Sequence, residues 1–339
     1  MNRRRFLRSA ARFWVAATGA FALSACLAES SPVSSASRLR KIGYLSGNAQ
    51  SSVDLYSPPF RARLRELSYV EGRDISIVFK VADNVNVVER LAGYASELVS
   101  MPVDVLLAEA GPAQAAAMRA TSTIPIVFVL SSDPVGQGLV ASIARPGGNV
   151  TGVRTASYAA KQVELLKETV PNLARLAVIA NATNVAVAAS GLAAVEAAAR
   201  GMAVTVTPFS IPSRDELDAS LGRIAVQGFD ALLVLPALSL VRTNDQIPEF
   251  ANKIGLPQVY SDAVFARAGG LFHYGANFAA QHRRAAEYVD KIFRGAHPAD
   301  LPVDQPTDVD LIVNLDAAKK LGLKIPETVM RRATEIIGR

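Results

Sequence analysis

The residues of this 339-residue chain that could do chemistry are small and polar, and they recur directly after short apolar runs. Ser46-Gly47-Asn48 follows KIGYL, Glu109-Ala110-Gly111-Pro112-Ala113 follows VDVLLA, and Ser131-Ser132-Asp133-Pro134 follows IPIVFVL. Further on come Thr155, Asn181 with Thr183, Pro236, and Tyr260-Ser261-Asp262. Hydroxyls and backbone amides bind a carboxylate, Asp133 or Asp262 would take an ammonium, and Tyr260 with Tyr56, Tyr158 or Phe265 would cover an apolar side chain. Pro112 is placed for a first helical turn, whose following amides are free for an anion. This inventory suits an amino acid or a related small zwitterion. The candidate contacts are Ser46, Gly47, Gly111, Pro112, Ala113, Ser131, Ser132, Asp133, Thr155, Asn181, Tyr260 and Asp262. Asp133 before Pro134 equally fits a helix cap, and Tyr260 equally fits a core ring with its hydroxyl bonded nearby.

Motifs of covalent or cofactor chemistry are missing or incomplete. Gly136-Gln137-Gly138-Leu139-Val140-Ala141 fits a loose dinucleotide-binding pattern after a strand, but the acid expected about 20 positions on is absent, and Ala156 stands there. Neither G-x-S-x-G, H-E-x-x-H nor a phosphate-binding Walker A sequence occurs, and His273, His282 and His297 have no partner at a motif spacing. No catalytic residue, cofactor or metal is therefore expected.

The first 26 residues account for most of the charge imbalance. Arg3, Arg4, Arg5, Arg8 and Arg12 stand there without an acidic residue, and a 13-residue apolar stretch, Phe13 to Ala25, comes next. A bilayer core needs about 20 residues of helix, so the stretch reads as the apolar part of an export signal. Leu23-Ser24-Ala25-Cys26 resembles a bacterial lipobox, with Cys26 the residue to be lipidated. Arg3-Arg4-Arg5-Phe6-Leu7-Arg8 resembles a twin-arginine signal. The expected location is the periplasmic side of the envelope, on a lipid anchor. The chain has 36 Lys and Arg against 30 Asp and Glu, and setting aside the five leading arginines leaves 31 against 30. A nearly neutral mature chain gives no support to a nucleic-acid partner. Cys26 is the sole cysteine, so once acylated it leaves no thiol for a disulfide or a metal.

The elements that must position the candidate loops alternate between strand and helix. Strands are predicted at Ile42 to Leu45, Ile75 to Phe79, Val103 to Ala108, Ile126 to Leu130, Leu176 to Ala180, Val204 to Phe209, Ala231 to Leu235, Gln258 to Tyr260 and Leu271 to Tyr274. Most are apolar on both faces, as in parallel sheets covered by helices. Ser213 and Glu216 have capping-box spacing before a helix with Leu217, Leu221, Ile224 and Ala225 on one face. A helix from Phe278 to Phe293, a proline-bearing extended stretch and a last helix from Asp316 to Leu321 close the chain. A single core stops growing near about 250 to 300 residues, so two α/β lobes are expected. RPGGNVTGV is the expected crossing between them, and the late extended stretch a recrossing. Residues 27–40, rich in Ser and Ala without apolar period, read as a flexible tether.

Several long strings together carry a resemblance: RARLRELSYVEGRDISIVF, SSDPVGQGLVASIARPGGNVTGV, HYGANF, YVDKIFRGAHPADLPVDQPT and LIVNLDAAKKLGLKIPETV. In this order the chain resembles the ABC-transporter substrate-binding proteins of the tryptophan and tyrosine type. The resemblance implies a type I periplasmic-binding-protein fold: two doubly wound parallel-sheet lobes on a multi-strand hinge, closing on a ligand. Together with the pattern of elements, the expected division is an export segment at 1–26, a tether at 27–40, one lobe at 41–152 with 276–303, and the other at 153–275 with 304–330. It implies a monomer working with permease and ATPase subunits. The family's Gly-Thr-Pro-Ala loop is Ala110-Gly111-Pro112-Ala113 here, which leaves helix amides but no hydroxyl. The loop at Asn181 lacks the family's proline, and Tyr260-Ser261-Asp262 departs from its Tyr-Gly start. A sensor that docks on a membrane receptor, or an exported enzyme, remains open. A repressor of the same fold is disfavoured by the export signal and by the lack of a helix-turn-helix before Lys41.

Overall fold

The structure, a computed structural model, describes residues 38–83, 87–181, 185–211, 216–236 and 245–338. The export segment with Cys26, the tether as far as Ser37, Thr183, and Ser213 of the expected capping box lie outside the described residues. The first lobe is built from β1 (Arg40–Ser46), α1 (Gln50–Glu66), β2 (Ile75–Val81), α2 (Val87–Ser100), β3 (Val105–Glu109), α3 (Gly111–Ala120), β4 (Ile126–Ser131) and β5 (Val150–Arg154). Its five strands are parallel, in the order β2-β1-β3-β4-β5. Alternate side chains of each strand feed opposite faces. In β1, Ile42 and Tyr44 pack with Val53, Phe60 and Leu64 of α1, whereas Leu45 packs with Leu91, Ala95 and Leu98 of α2. This two-sided burial is why the strands read as unbroken apolar runs.

The second lobe carries α4 (Ala159–Thr169), β6 (Arg175–Asn181), α5 (Val185–Arg200), β7 (Thr205–Ile211), α6 (Leu217–Gln227), β8 (Ala231–Val234), α7 (Gln246–Lys253), β9 (Gln258–Tyr260), α8 (Ala263–Arg267) and β10 (Phe272–Ala276). After α9 (Phe278–Phe293) come β11 (Val309–Asn314), α10 (Leu315–Lys320), α11 (Glu327–Arg332) and β12 (Glu335–Ile337). The seven-stranded sheet runs β12-β11-β10-β9-β8-β6-β7, with β11 antiparallel to β10 and the other pairs parallel. The protein is thus an α/β fold of two parallel-sheet lobes.

The chain passes between the lobes three times: after β5, between β10 and α9, and before β11. Although α9 follows a strand of the second sheet, its Ala285, Ala286, Tyr288 and Val289 pack with Phe60 and Leu64 in the first lobe. The strands of the hinge are tied together: the Arg154 amide donates to Asp304 O (2.8 Å), and the Asp304 amide donates to Gly152 O (2.9 Å).

Three strands and one helix were not among the sequence expectations. The segment RPGGNVTGV was expected to leave the first lobe, yet Val150–Arg154 stays in its sheet as β5 and the crossing follows. Gly152 lets β5 press against β4, since a Cβ there would lie 2.1 Å from Phe128 O. The proline-bearing late segment ends in β11, and the helix expected at Asp316 to Leu321, here α10, is followed by α11 and β12. The second sheet therefore reaches Ile337, beyond the expected limit at 330.

Candidate functional site

The two lobes and the hinge line an open cavity of about 200 Å³. Ser132 and Asp133 line it from the first lobe, Leu235, Pro236 and Ser261 from the second, and Thr155 to Tyr158 with Gly275, Ala276 and Phe278 from two of the crossings. Its walls are largely apolar, through Tyr158, Leu235, Ala276 and Phe278, with hydroxyls set among them. Of the residues expected to contact a ligand, Ser132, Asp133 and Thr155 are brought together here.

Local backbone geometry places these groups. At the end of β4 the register slips between Val129 and Ser131, and Leu130 adopts φ +61°. Ala110, which precedes α3, has φ +67° and ψ 158°. Such left-handed conformations cost a non-glycine residue about 1–3 kcal/mol each. Ser131 then accepts at its carbonyl from the Thr155 amide (2.7 Å), which joins the loop to the first crossing. Asp133 Oδ1 accepts from the Gly136 amide (2.9 Å), so one carboxylate oxygen shapes its own loop. A side chain at Gly136 would displace this carboxylate, because a Cβ would lie 2.0 Å from Asp133 Oδ2.

On the second-lobe side, α4 begins at the cavity with Tyr158 as its N-cap residue and no side-chain cap. The first amides of a helix have no intrahelical partner and favour an anion. Gln162, one turn along, donates from Nε2 to Ser261 Oγ (2.9 Å) and to Tyr274 O (2.7 Å), which fixes that wall and leaves the Ser261 hydroxyl proton free to donate. Nothing in the sequence distinguishes Gln162 and the α4 start from an ordinary amphipathic helix. The Thr155 hydroxyl donates to Gln281 Oε1 (2.8 Å) in α9.

Beside the cavity, a buried polar chain joins the lobes. Glu109 ends β3 fully buried, and its Oε2 accepts from the Tyr44 hydroxyl at 3.2 Å. His282 Nε2 lies 3.4 Å from Glu109 Oε1, long for a hydrogen bond and close for an ion pair. The other ring nitrogen, Nδ1, is 2.7 Å from Phe278 O and donates to that carbonyl. Burial alone would raise the Glu109 pKa, but His282, then Ser46 and Tyr44, outweigh it and hold the carboxyl below its ordinary 4.5. The Tyr56 ring stacks on His282 with centroids 5.6 Å apart and planes at 13°. Its hydroxyl donates to Asp262 Oδ1 (2.9 Å) in the second lobe, and Asp262 also caps α8 by accepting from the Val264 amide (3.1 Å). Asp262 is 2% exposed, its Oδ2 finds no partner among the described residues, and burial pushes its pKa up to about 6.

The remaining expected residues lie elsewhere. Ser46 is buried, with its Oγ accepting from the Asn48 amide (3.1 Å), and Gly47 is enclosed by Val87, Leu91 and Pro112. Gly111, Pro112 and Ala113 begin α3, as expected. The Ser131 hydroxyl is 3.4 Å from Gln137 Oε1. Asn181 ends β6, and its side chain lies outside the described residues. Tyr260 is a core residue, fully buried and stacked on Phe265 with planes 9° apart. Asp262 accepts from α8 and from Tyr56 through Oδ1 and does not line the cavity. Among the described residues, no group of three or more His, Cys, Asp or Glu could hold a metal ion, and no helix is long and apolar enough to cross a membrane.

Comparison with known proteins gives a consistent set of relatives. The family profile of the ABC transporter substrate binding proteins matches residues 50–337. A tyrosine-binding protein of Clostridioides difficile (strain R20291) is 27% identical over 273 residues, spanning 80% of this chain and 78% of that one. The structure of an ABC domain in complex with L-Trp from Streptococcus pneumonia superposes with a TM-score of 0.81 at 25% identity, covering 88% of this chain and 100% of that one. A ligand-free, open substrate binding protein with adhesive properties from Clostridium difficile gives 0.67 at 26% identity, covering 89% and 100%. At near-equal identity and coverage, the chain superposes better on the complex than on the open form.

Proposed function

This chain belongs to the ABC transporter substrate-binding protein family, and from that premise we propose that it captures a small zwitterion, an amino acid or close analogue, between its lobes. The observation that carries this reading is the cavity of about 200 Å³ lined by both lobes and by the hinge. The free amides at the start of α4, with the Ser132 and Ser261 hydroxyls, take the carboxylate; Asp133, through its second oxygen, takes the ammonium. Tyr158, Leu235 and Phe278 cover the apolar part. The relatives described as tyrosine-binding and as an L-Trp complex support aromatic amino acids as the first ligands to test.

The solute is held on the periplasmic side of the envelope and delivered to a permease driven by ATPase subunits. The Leu23-Ser24-Ala25-Cys26 sequence supports a lipid anchor at Cys26, and the preceding arginines support the twin-arginine route. The capturing protein acts as a monomer and needs no cofactor.

Thermal unfolding with L-tyrosine, L-tryptophan, branched amino acids and small carboxylates tests the reading. A ligand at about 100 times its Kd stabilises by roughly 2.7 kcal/mol, equivalent to about 5 °C here. A shift with a zwitterion that is absent with the matching amine or acid is expected. Equal shifts with the zwitterion and with its carboxylate alone would contradict the ammonium contact.

A further inference from the structure

We infer that Tyr56 and Asp262 form a latch that ties the closed lobes directly to one another, and that Glu109 and His282 are positioning residues that aim it. The inference rests on the proposed capture between lobes only in requiring that they open and close. It assigns Asp262 to closure instead of to the solute.

Tyr56 stands on α1 of the first lobe, yet its ring belongs to a cluster with Val264, Phe265, Ala276 and Phe278 of the second lobe and the crossing. Opening must withdraw that ring and break the bond from its hydroxyl to Asp262 Oδ1 (2.9 Å). No solute atom is needed for the contact. Capping of α8 alone would not call for a charge, because Ser, Thr or Asn serves equally at an N-cap. Burying a carboxylate is costly unless it is hydrogen-bonded, and Oδ1 takes the Tyr56 hydroxyl in addition to the Val264 amide.

The ring of Tyr56 is held on its other face. His282 follows Phe278 by one turn in α9, directly after the second crossing, and its Nδ1 donates to the Phe278 carbonyl. Glu109 faces Nε2 and is itself held by Tyr44 and Ser46. The imidazole is thereby fixed to the hinge, and the phenol stacked on it is fixed in direction. A second contact, edge to face with Phe278 at 5.6 Å between centroids, removes the remaining freedom of the ring. Arg267 is the other charged group felt by both Tyr56 and Asp262.

The test uses the full chain labelled on both lobes for distance measurement, first without any solute and then with L-tyrosine. Tyr56→Phe keeps the ring and loses the bond. Asp262→Asn keeps the cap and the acceptor and loses the charge. The ligand-free closed fraction is expected to fall in the order wild type, Asp262→Asn, Tyr56→Phe. L-tyrosine release should quicken by about 10- to 100-fold in Tyr56→Phe, the range for a hydrogen bond to a charged group, with association little changed. His282→Gln should open the wild-type lobes but add nothing in the Tyr56→Phe background, since it acts through Tyr56. Equal ligand-free lobe distances in wild type and Tyr56→Phe overturn the latch, and additive effects of His282→Gln and Tyr56→Phe overturn the positioning role. If L-tyrosine does not bind, the aromatic-ligand reading fails separately, and the ligand-free distances still decide the latch.

Discussion

Asp262 makes a prediction whose size follows from its burial. Its carboxyl rises from an ordinary 3.8 to about 6, chiefly because it is cut off from water. A raised folded-state pKa means that the folded protein holds the proton more tightly than the unfolded chain. The associated stability is fully present below 3.8 and is lost as pH rises through about 6. At about 1.4 kcal/mol per pH unit the whole effect is about 3 kcal/mol, of which about 2 is recovered by pH 4. Asn at this position accepts the same bonds without titrating. Chemical denaturation of wild type and Asp262→Asn between pH 7.5 and 4 isolates the effect, because every other titrating group is common to both. The advantage of Asp262→Asn over wild type should shrink by about 2 kcal/mol across that range. Parallel stability profiles would show that the carboxylate is solvated or paired, and would refute the burial argument.

His273 provides the opposite slope. Its Nδ1 lies 3.0 Å from Tyr260 O, and burial lowers its pKa from 6.5 to about 4, so its contribution is present above 6.5 and lost as pH falls through about 4. His273→Gln should therefore flatten the acid loss of stability, by about 3 kcal/mol in all, in the same denaturation series. Gly152→Ala should lower the melting temperature severely, because the new Cβ would collide with Phe128 O at 2.1 Å. Gly222→Ala, in the exposed face of α6 with nothing within 4 Å, should instead stabilise by about 0.5–1 kcal/mol in the same melt.

What could be read from the sequence was the part governed by local pattern. Apolar runs such as VDVLLA, buried on both faces, located nine strands within a few residues, and the loop after one of them led to Ser132 and Asp133 at the cavity. The strand β5 escaped because its glycine breaks the apolar run, although Gly152 is there to let two strands meet. The buried chain of Glu109, His282, Tyr56 and Asp262 had no local signature. Glu109 and His282 are 173 positions apart, and only the return of α9 to the first lobe brings them together. The hints were an acid closing an otherwise apolar strand and a histidine one turn into a helix after a crossing. Asp262 was read from the sequence as a contact for an ammonium, and its bond to Tyr56 was not legible, because Tyr56 approaches it from the other lobe.

A crystal structure of the protein grown with L-tyrosine tests the central claim most directly. The account predicts the amino acid in the hinge-side cavity, its carboxylate at the first amides of α4, its ammonium near Asp133, and its ring against Tyr158 and Phe278, with the Tyr56 hydroxyl still on Asp262. L-tyrosine bound outside that cavity, or bound with its ammonium on Asp262 in place of Tyr56, would contradict it.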